Sequence, residues 1–505
     1  IFDDKANGAS MEAEIELKLF FNENHKKSLI KLLDSLPNCD AKGIEELTNG
    51  YFDTADLTLR KWDMGLRIRG VNQHLEQTIK TKGQVVGGIH SRPEYNVDVD
   101  QKFPQLNLFP NEIWPVGANI EQTQSELFCL FNTDFARQRW HIFVDDSLIE
   151  VALDIGEIRV DDAVDPIFEL EFELLAGDTS ALLTLAGIVS RAIPVRLGKA
   201  SKAQRGYRLA GQYTPDTIDA LTFIEIEPNQ SLKQVAINLL TLGLDRWQTI
   251  EAMLLDPEQN QLELPMLSYR LRACIRLLKS TLKQFDLIED SFEADFDCIE
   301  CRLNFIEQAL SLYGIIEGDV ALVSKWPQHQ ALVDVATDKL QQLDVVEQVE
   351  QLLNDICYGR LQVHLVDLLT QVTDGQVSIN KELDLRHFAN KMQENSWQRI
   401  IDVMPRDNEL SSSDYLSVAK ALDDSIFVGV AYGGLYPEKS RDQFRAPWQD
   451  LALGIRTLAA YRQLKEISEI AYLDISAWLE NKEQSLVQAM EFSRRSALQN
   501  EPYWR

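Results

Sequence analysis

Residues 14–19 read Glu14-Ile15-Glu16-Leu17-Lys18-Leu19. Charged and apolar side chains alternate strictly, which is the period of a strand with one apolar and one charged face. The same period returns at Leu66-Arg67-Ile68-Arg69, at Ile79-Lys80-Thr81-Lys82 and at Glu169-Leu170-Glu171-Phe172-Glu173-Leu174. Turn formers separate these runs, among them Gly83, Gly87-Gly88 and Asp145-Asp146. From Met11 to about Gly211 the chain therefore reads as strands, interrupted by short helices at 24–36 and 179–191.

Beyond Tyr213 the period becomes 3.6. Ser231 and Gln234 form a capping box, and Leu232, Val235, Ala236, Leu239 and Leu240 line one helical face. Further helices are expected near 266–287, 294–313, 331–355, 383–404, 444–464 and 474–498. The stretch 213–228, with Pro215 and Pro228, reads as a linker. The fold class is thus α+β, a β-rich domain at 11–212 followed by an all-α helical bundle at 229–505.

Composition bounds the possibilities. The 505 residues are 45% hydrophobic and 26% charged, an ordinary globular balance. No run of 18 uncharged apolar residues occurs, so no membrane-spanning helix is expected. The net charge of −29 argues against nucleic acid and anionic lipid as partners. Cys298 and Cys301 form the only CxxC, without a second pair to complete a zinc site, and the spacing also suits one face of a helix. The six cysteines read as free thiols. With no secretory leader, they point to the cytoplasm. Residues 1–10 precede Met11 and read as an expression-tag remnant.

Charge in the first half is sorted by strand. Glu14 and Glu16 share a face with Lys18, Arg67 and Arg69 share another, and Glu169, Glu171 and Glu173 a third. Any one such face can be solvated. Like charges repel on a solvated face, however, and the sorting makes sense if the faces converge inside a closed barrel. Clustered carboxylates suit a hard divalent cation, Mg²⁺ or Mn²⁺, and clustered Arg and Lys suit a polyphosphate. Together they suit phosphoryl transfer.

In chain order the motifs are Glu14-Ile15-Glu16-Leu17-Lys18, Tyr51-Phe52-Asp53-Thr54, Leu66-Arg67-Ile68-Arg69, Thr78-Ile79-Lys80-Thr81-Lys82-Gly83, Arg92-Pro93-Glu94-Tyr95, Ala152-Leu153-Asp154-Ile155-Gly156-Glu157, Glu169-Leu170-Glu171-Phe172-Glu173-Leu174 and Ser201-Lys202-Ala203-Gln204-Arg205-Gly206-Tyr207. This series resembles the CYTH superfamily, the triphosphate tunnel metalloenzymes. The resemblance implies an eight-stranded antiparallel barrel, open at both ends around a polar tunnel. It implies a metal held by Glu14, Glu16, Glu169 and Glu171, with Asp154 and Glu173 close by. It implies phosphate contacts from Lys18, Arg67, Arg69, Lys80, Arg137 and Lys202, extended by Lys82, Arg92 and Arg205. Lys18 and Tyr51 stand where some members pair a lysine with a tyrosine, and Glu171 or Glu173 is the expected base. Plainer readings stay open: Glu173 and Lys82 at the surface, Tyr51 as a core tyrosine, Arg205 as a helix cap or ion pair. His25, His74, His90 and His141 share no metal spacing and receive no role.

The expected helix at 266–287 carries Arg272, Arg276, Lys279 and Lys283 along one face. It resembles the first helix of CHAD domains, which are associated with polyphosphate. Tyr269 stands at the family's histidine position, Leu277 replaces an arginine, and the second basic helix has no counterpart. Residues 213–505 hold 27 Lys and Arg against 46 Asp and Glu, net −19. Long-chain polyphosphate is therefore left open as a partner, and a monomer is expected. The implied function is metal-dependent hydrolysis of inorganic tripolyphosphate to pyrophosphate and phosphate. The alternatives are a thiamine or nucleoside triphosphatase, a class IV adenylyl cyclase, or a non-enzymatic polyphosphate-binding module.

Overall fold

The computed structural model describes residues 10–71, 74–86, 88–212, 216–256, 263–317, 323, 326–379 and 383–505. Residues 1–9 of the expected remnant, Gly87 of the expected turn and 213–215 of the expected linker lie outside them. The chain divides into two compact units, one holding residues up to 216 together with 354–370, the other holding 217–353 and 371–505.

The first unit runs β1 (Ser10–Phe21), α1 (Lys26–Asp34), β2 (Cys39–Asp53), α2 (Thr58–Lys61), β3 (Gly65–Val71), β4 (His74–Lys80), β5 (Gln84–Val86) and β6 (Ile89–Val99). It continues through α3 (Ile120–Glu126), β7 (Phe128–Val144), β8 (Ser147–Val160), β9 (Ala163–Ala176), α4 (Ser180–Ala192), β10 (Val195–Leu197) and α5 (Lys202–Leu209). The sheet order β1-β9-β8-β7-β2-β3-β4-β6 closes where β6 pairs back onto β1, so eight antiparallel strands form a barrel. β1 serves both sides of the closure, with Leu17 opposite both Ile89 and Phe172. β10 extends the same edge of β1 at Leu19–Phe21, and β5 flanks β6.

The barrel interior is charged, so the apolar face of each strand needs cover on the outside. Leu17 and Leu19 have no exposed surface, and α4 packs over β1, β8 and β9. A second apolar cluster joins Phe52, Leu66, Ile68, Ile79 and Val97 to Leu106, Phe109 and Leu127 of the segment between β6 and β7. A third lies where β2 ends and β9 begins, and joins Tyr51, Phe131, Phe135, Ile158 and Ile167 to Tyr207 of α5. α5 packs on β7, β8 and β9 there. Asp53, at the end of β2, fixes the adjoining turn by accepting hydrogen bonds from the amides of Thr54, Leu59 and Arg60 and from the Tyr207 hydroxyl.

The second unit contains no strand among its described residues. Its helices are α6 (Leu232–Leu254), α7 (Leu264–Gln284), α8 (Asp290–Arg302), α9 (Phe305–Glu317), α10 (His329–Leu343) and α11 (Val345–Leu353). After α12 (Ile356–Asp374), most of which belongs to the first unit, follow α13 (Leu385–Val403), α14 (Ser412–Tyr432), α15 (Glu438–Ile470) and α16 (Ser476–Gln499). The capping box at Ser231 forms as expected. The helix expected at 294–313 is two, broken after Arg302, and that at 331–355 breaks at Asp344, which is left-handed (φ 46°). Cys301 lies on α8, as does Cys298. Cys39, Cys129, Cys274 and Cys301 are free thiols, whereas Cys298 and Cys357 are not, which corrects the reading of six free thiols. No helix among the described residues is long and apolar enough to cross a membrane.

Candidate active site

Alternation points one residue in two of each strand into the barrel, where a cavity of about 680 Å³ is lined mostly by charged residues of both signs. Glu14, Glu16 and Lys18 enter from β1, Arg67 and Arg69 from β3, Lys80 from β4, and Arg92 and Glu94 from β6. Arg137 comes from β7, Glu171 and Glu173 from β9, and Lys202 from α5. Most of the residues expected from the sequence thus meet in one space.

One cluster is a saturated ion-pair network. Carboxylate oxygens of Asp154, Glu169 and Glu171 lie within 4.8 Å of one another. Lys202 Nζ sits among them at 2.7, 2.6 and 2.9 Å respectively. Arg137 grips both oxygens of Asp154 at 2.7 and 2.6 Å and donates to Glu171 at 2.6 Å. Lys18 Nζ lies 2.8 Å from Glu171, and Arg205 donates to Glu169 at 2.9 Å. Burial opposes charge on Glu171, yet Lys18, Lys202 and Arg137 outweigh it and hold the carboxyl well below its ordinary range. Burial likewise opposes charge on Lys18, and Glu171, Glu16 and Glu169 reverse that effect.

A second cluster lies across the tunnel. Glu94 accepts from Arg67 at 3.0 Å and sits 3.2 Å from Lys80 Nζ, which also pairs with Glu14. Despite burial, Arg67 and Lys80 bring Glu94 down to about 2.

Three groups of charge are left over. Arg92 lines the cavity with its buried Nε lacking a hydrogen-bond partner among the described residues. Arg69 is half-buried, donates to Asn49 Oδ1 at 3.0 Å and has no carboxylate partner among the described residues. Burial, with Arg67 and Arg137 alongside, lowers its guanidinium to about 10. Glu16 and Glu173 face each other across β1 and β9, with no cation within 4.0 Å among the described residues. Burial, then Glu14 and Glu150, push Glu173 up to about 7.

The remaining expected residues fall at the edges. Lys82 is exposed at a mouth, 3.7 Å from Asp63. Arg205 pairs with Asp165 as well as Glu169. Tyr51 stacks on Phe131, with ring centroids 4.7 Å apart, and stands opposite Arg67 across the β2–β3 pair, while no hydrogen bond joins it to Lys18 among the described residues. Other residues line the cavity that received no role from the sequence, among them Glu45, His90, Glu94, Arg139 and Glu150. Their signal was parity. His90 and Glu94 flank Arg92 at spacings of two, and Arg139 follows Arg137 by two.

The basic stripe of α7 is not a free surface. Arg272 pairs with Glu307, Arg276 with Glu300 and with Asp423 at 2.8 Å, Lys279 with Asp297 at 2.8 Å, and Lys283 with Glu293 at 3.2 Å.

The site is thus the interior of a closed barrel that holds paired acidic and basic clusters. In comparison with known proteins, residues 12–207 match the family model of the CYTH domain. An inorganic triphosphatase of Haemophilus influenzae is 37% identical over 203 residues, which is 40% of this chain and 56% of that protein. The chain thus spans little more than half the length of that relative. Among solved structures, a Hippeastrum protein described as an adenylyl cyclase with dominant triphosphatase activity is 21% identical, covering 40% of this chain and 98% of its own, at a TM-score of 0.30. A CHAD domain from Ricinus communis is 15% identical, covering 55% of this chain and 96% of its own, at a TM-score of 0.41.

Proposed function

We propose that this chain hydrolyses the terminal phosphoanhydride of a short triphosphate, inorganic tripolyphosphate, with a divalent cation. The observation that carries the reading is Arg69, a half-buried guanidinium facing the cavity without a carboxylate partner among the described residues and lowered by burial and by its cationic neighbours. Such a site has positive charge to spare and calls for an anion.

The donor chemistry fits a hard cation. Glu14 and Glu16 gather oxygen ligands beside Glu173, and the repulsion among these carboxylates is incompletely answered by protein cations. They would hold Mg²⁺ or Mn²⁺, whereas Asp154 and Glu169 are saturated by Arg137, Lys202 and Arg205 and serve to position those cations. The metal, when bound, supplies neutralising charge to phosphate oxygens and a more acidic water. Arg67, Arg69, Lys80, Arg92 and Arg137 hold the phosphate oxygens and stabilise the charge that spreads over them as the anhydride opens. Glu171 is held far too acidic by Lys18, Lys202 and Arg137 to accept the proton, which leaves Glu173, a carboxylate without a cation partner among the described residues, as the acceptor. Hydrolysis then yields pyrophosphate and phosphate.

The test is phosphate release from tripolyphosphate, thiamine triphosphate and ATP with Mg²⁺ or Mn²⁺, alongside a cyclic-AMP assay. Tripolyphosphate should be turned over fastest, and Glu16→Ala and Arg67→Ala should each abolish release. Full activity in both variants would sink the reading, and cyclic AMP as product would replace it with a cyclase.

A further inference from the structure

The second half of the sequence lends a piece to the barrel. Residues 354–370 cluster with the first unit, and α12 lies against β10, the strand that ends the sheet order. An edge strand leaves backbone donors without partners unless something covers them. Here the fully buried Gln362 supplies the cover, its Oε1 accepting from the Leu197 amide at 2.9 Å. Contact is close enough that a Cβ on Gly359 would lie 1.7 Å from the Val195 carbonyl oxygen.

What β10 holds makes this more than packing. The next residue, Gly198, donates its amide to the Lys18 carbonyl at 2.7 Å, and a Cβ there would lie 2.9 Å from Lys18 Cγ. His90, which lines the cavity, lies beside the Gly198 backbone. Four residues further on stands Lys202, centred on Asp154, Glu169 and Glu171. Both lysines that saturate the acidic cluster are therefore anchored at or beside the strand that α12 covers.

We propose that residues 354–370 form a latch on β10, with Gln362 as a positioning residue for Lys18 and Lys202, so that the catalytic barrel is completed only by the second half of the chain. The inference rests on the triphosphatase reading for its kinetic consequence but not for its structural one.

The test uses the full-length chain. In the wild type, hydrogen exchange should show the Leu197 amide protected, although it lies on an edge strand; rapid exchange would overturn the latch. Gln362→Met keeps the side-chain length and removes the carbonyl acceptor. It should release Leu197 and lower kcat for tripolyphosphate about tenfold, while KM shifts less than about twofold, since Arg67, Arg69 and Arg92 are untouched. Gln362→Glu, which keeps an acceptor oxygen, should recover most of kcat. A released Leu197 with unchanged kcat would overturn the positioning role. Should the wild type hydrolyse no triphosphate while Leu197 stays protected, the triphosphatase reading falls and the latch stands.

Discussion

Glu173 shows how one side chain reports on the whole site. Its raised proton affinity has three sources: burial, Glu14 and Glu150. In the metal-free protein the folded state therefore keeps a proton that the unfolded chain, with an ordinary carboxyl, gives up. Stability from this group is full below about pH 4.5 and is lost as pH rises through about 7. Melting temperatures measured in EDTA should fall between pH 5 and 8, and Glu173→Gln should flatten that slope. Equal slopes in both proteins would remove Glu173 as its origin. Arg69 is the cationic counterpart. A hydrogen bond to a charged group is worth about 1.5–3 kcal/mol, so Arg69→Ala should weaken tripolyphosphate binding roughly 10- to 100-fold, read by calorimetry. At this scale much of the site was legible, because period two alone sends Glu14, Arg67, Lys80 and Glu171 inward. What stayed hidden was which charges cancel. Asp154 and Glu173 look alike in sequence, yet one is gripped by Arg137 and the other faces carboxylates.

Elements were legible wherever one face differed from the other. The strands alternate, and α6 and α7 show a clear apolar stripe. α12 was missed because Arg360, Gln362, His364 and Asp367 interleave with its apolar residues and Gly359 lowers its helix propensity. The breaks at Arg302 and Asp344 were missed because apolar spacing runs on through Leu303, Phe305 and Val345. Conversely, a motif that read as catalytic by position is partly structural: Asp53 of Tyr51-Phe52-Asp53-Thr54 has no exposed surface and holds the β2–α2 turn and α5 together. Removing it leaves three amides and a hydroxyl without their acceptor, each costing about 1–3 kcal/mol when buried. Asp53→Ala should therefore lower unfolding free energy by at least about 3 kcal/mol in urea titrations. A loss under about 1 kcal/mol would show that water replaces the carboxylate.

Over the whole molecule, the net charge of −29 conceals two different arrangements of the same residue types. In the barrel, acids and bases face a cavity with both signs left over, at Arg69 and at Glu173. In the helical unit, each base of the α7 stripe is answered by an acid on α8, α9 or α14, and the remaining surface is acidic. A long polyanion bound there would have to displace those carboxylates and face a net −19 over residues 213–505. Polyanion affinity from a basic surface also falls steeply with salt, and a stripe already neutralised has few counterions to release. Long-chain polyphosphate should accordingly bind the full chain weakly at about 150 mM salt. Whatever binding remains should be lost in Arg69→Ala and competed by tripolyphosphate, but be unchanged in a Lys279→Ala, Lys283→Ala double variant. Anisotropy with labelled polyphosphate at two salt concentrations distinguishes the cases. Tight binding that survives Arg69→Ala and disappears with Lys279 and Lys283 would place the polyanion on the helices after all.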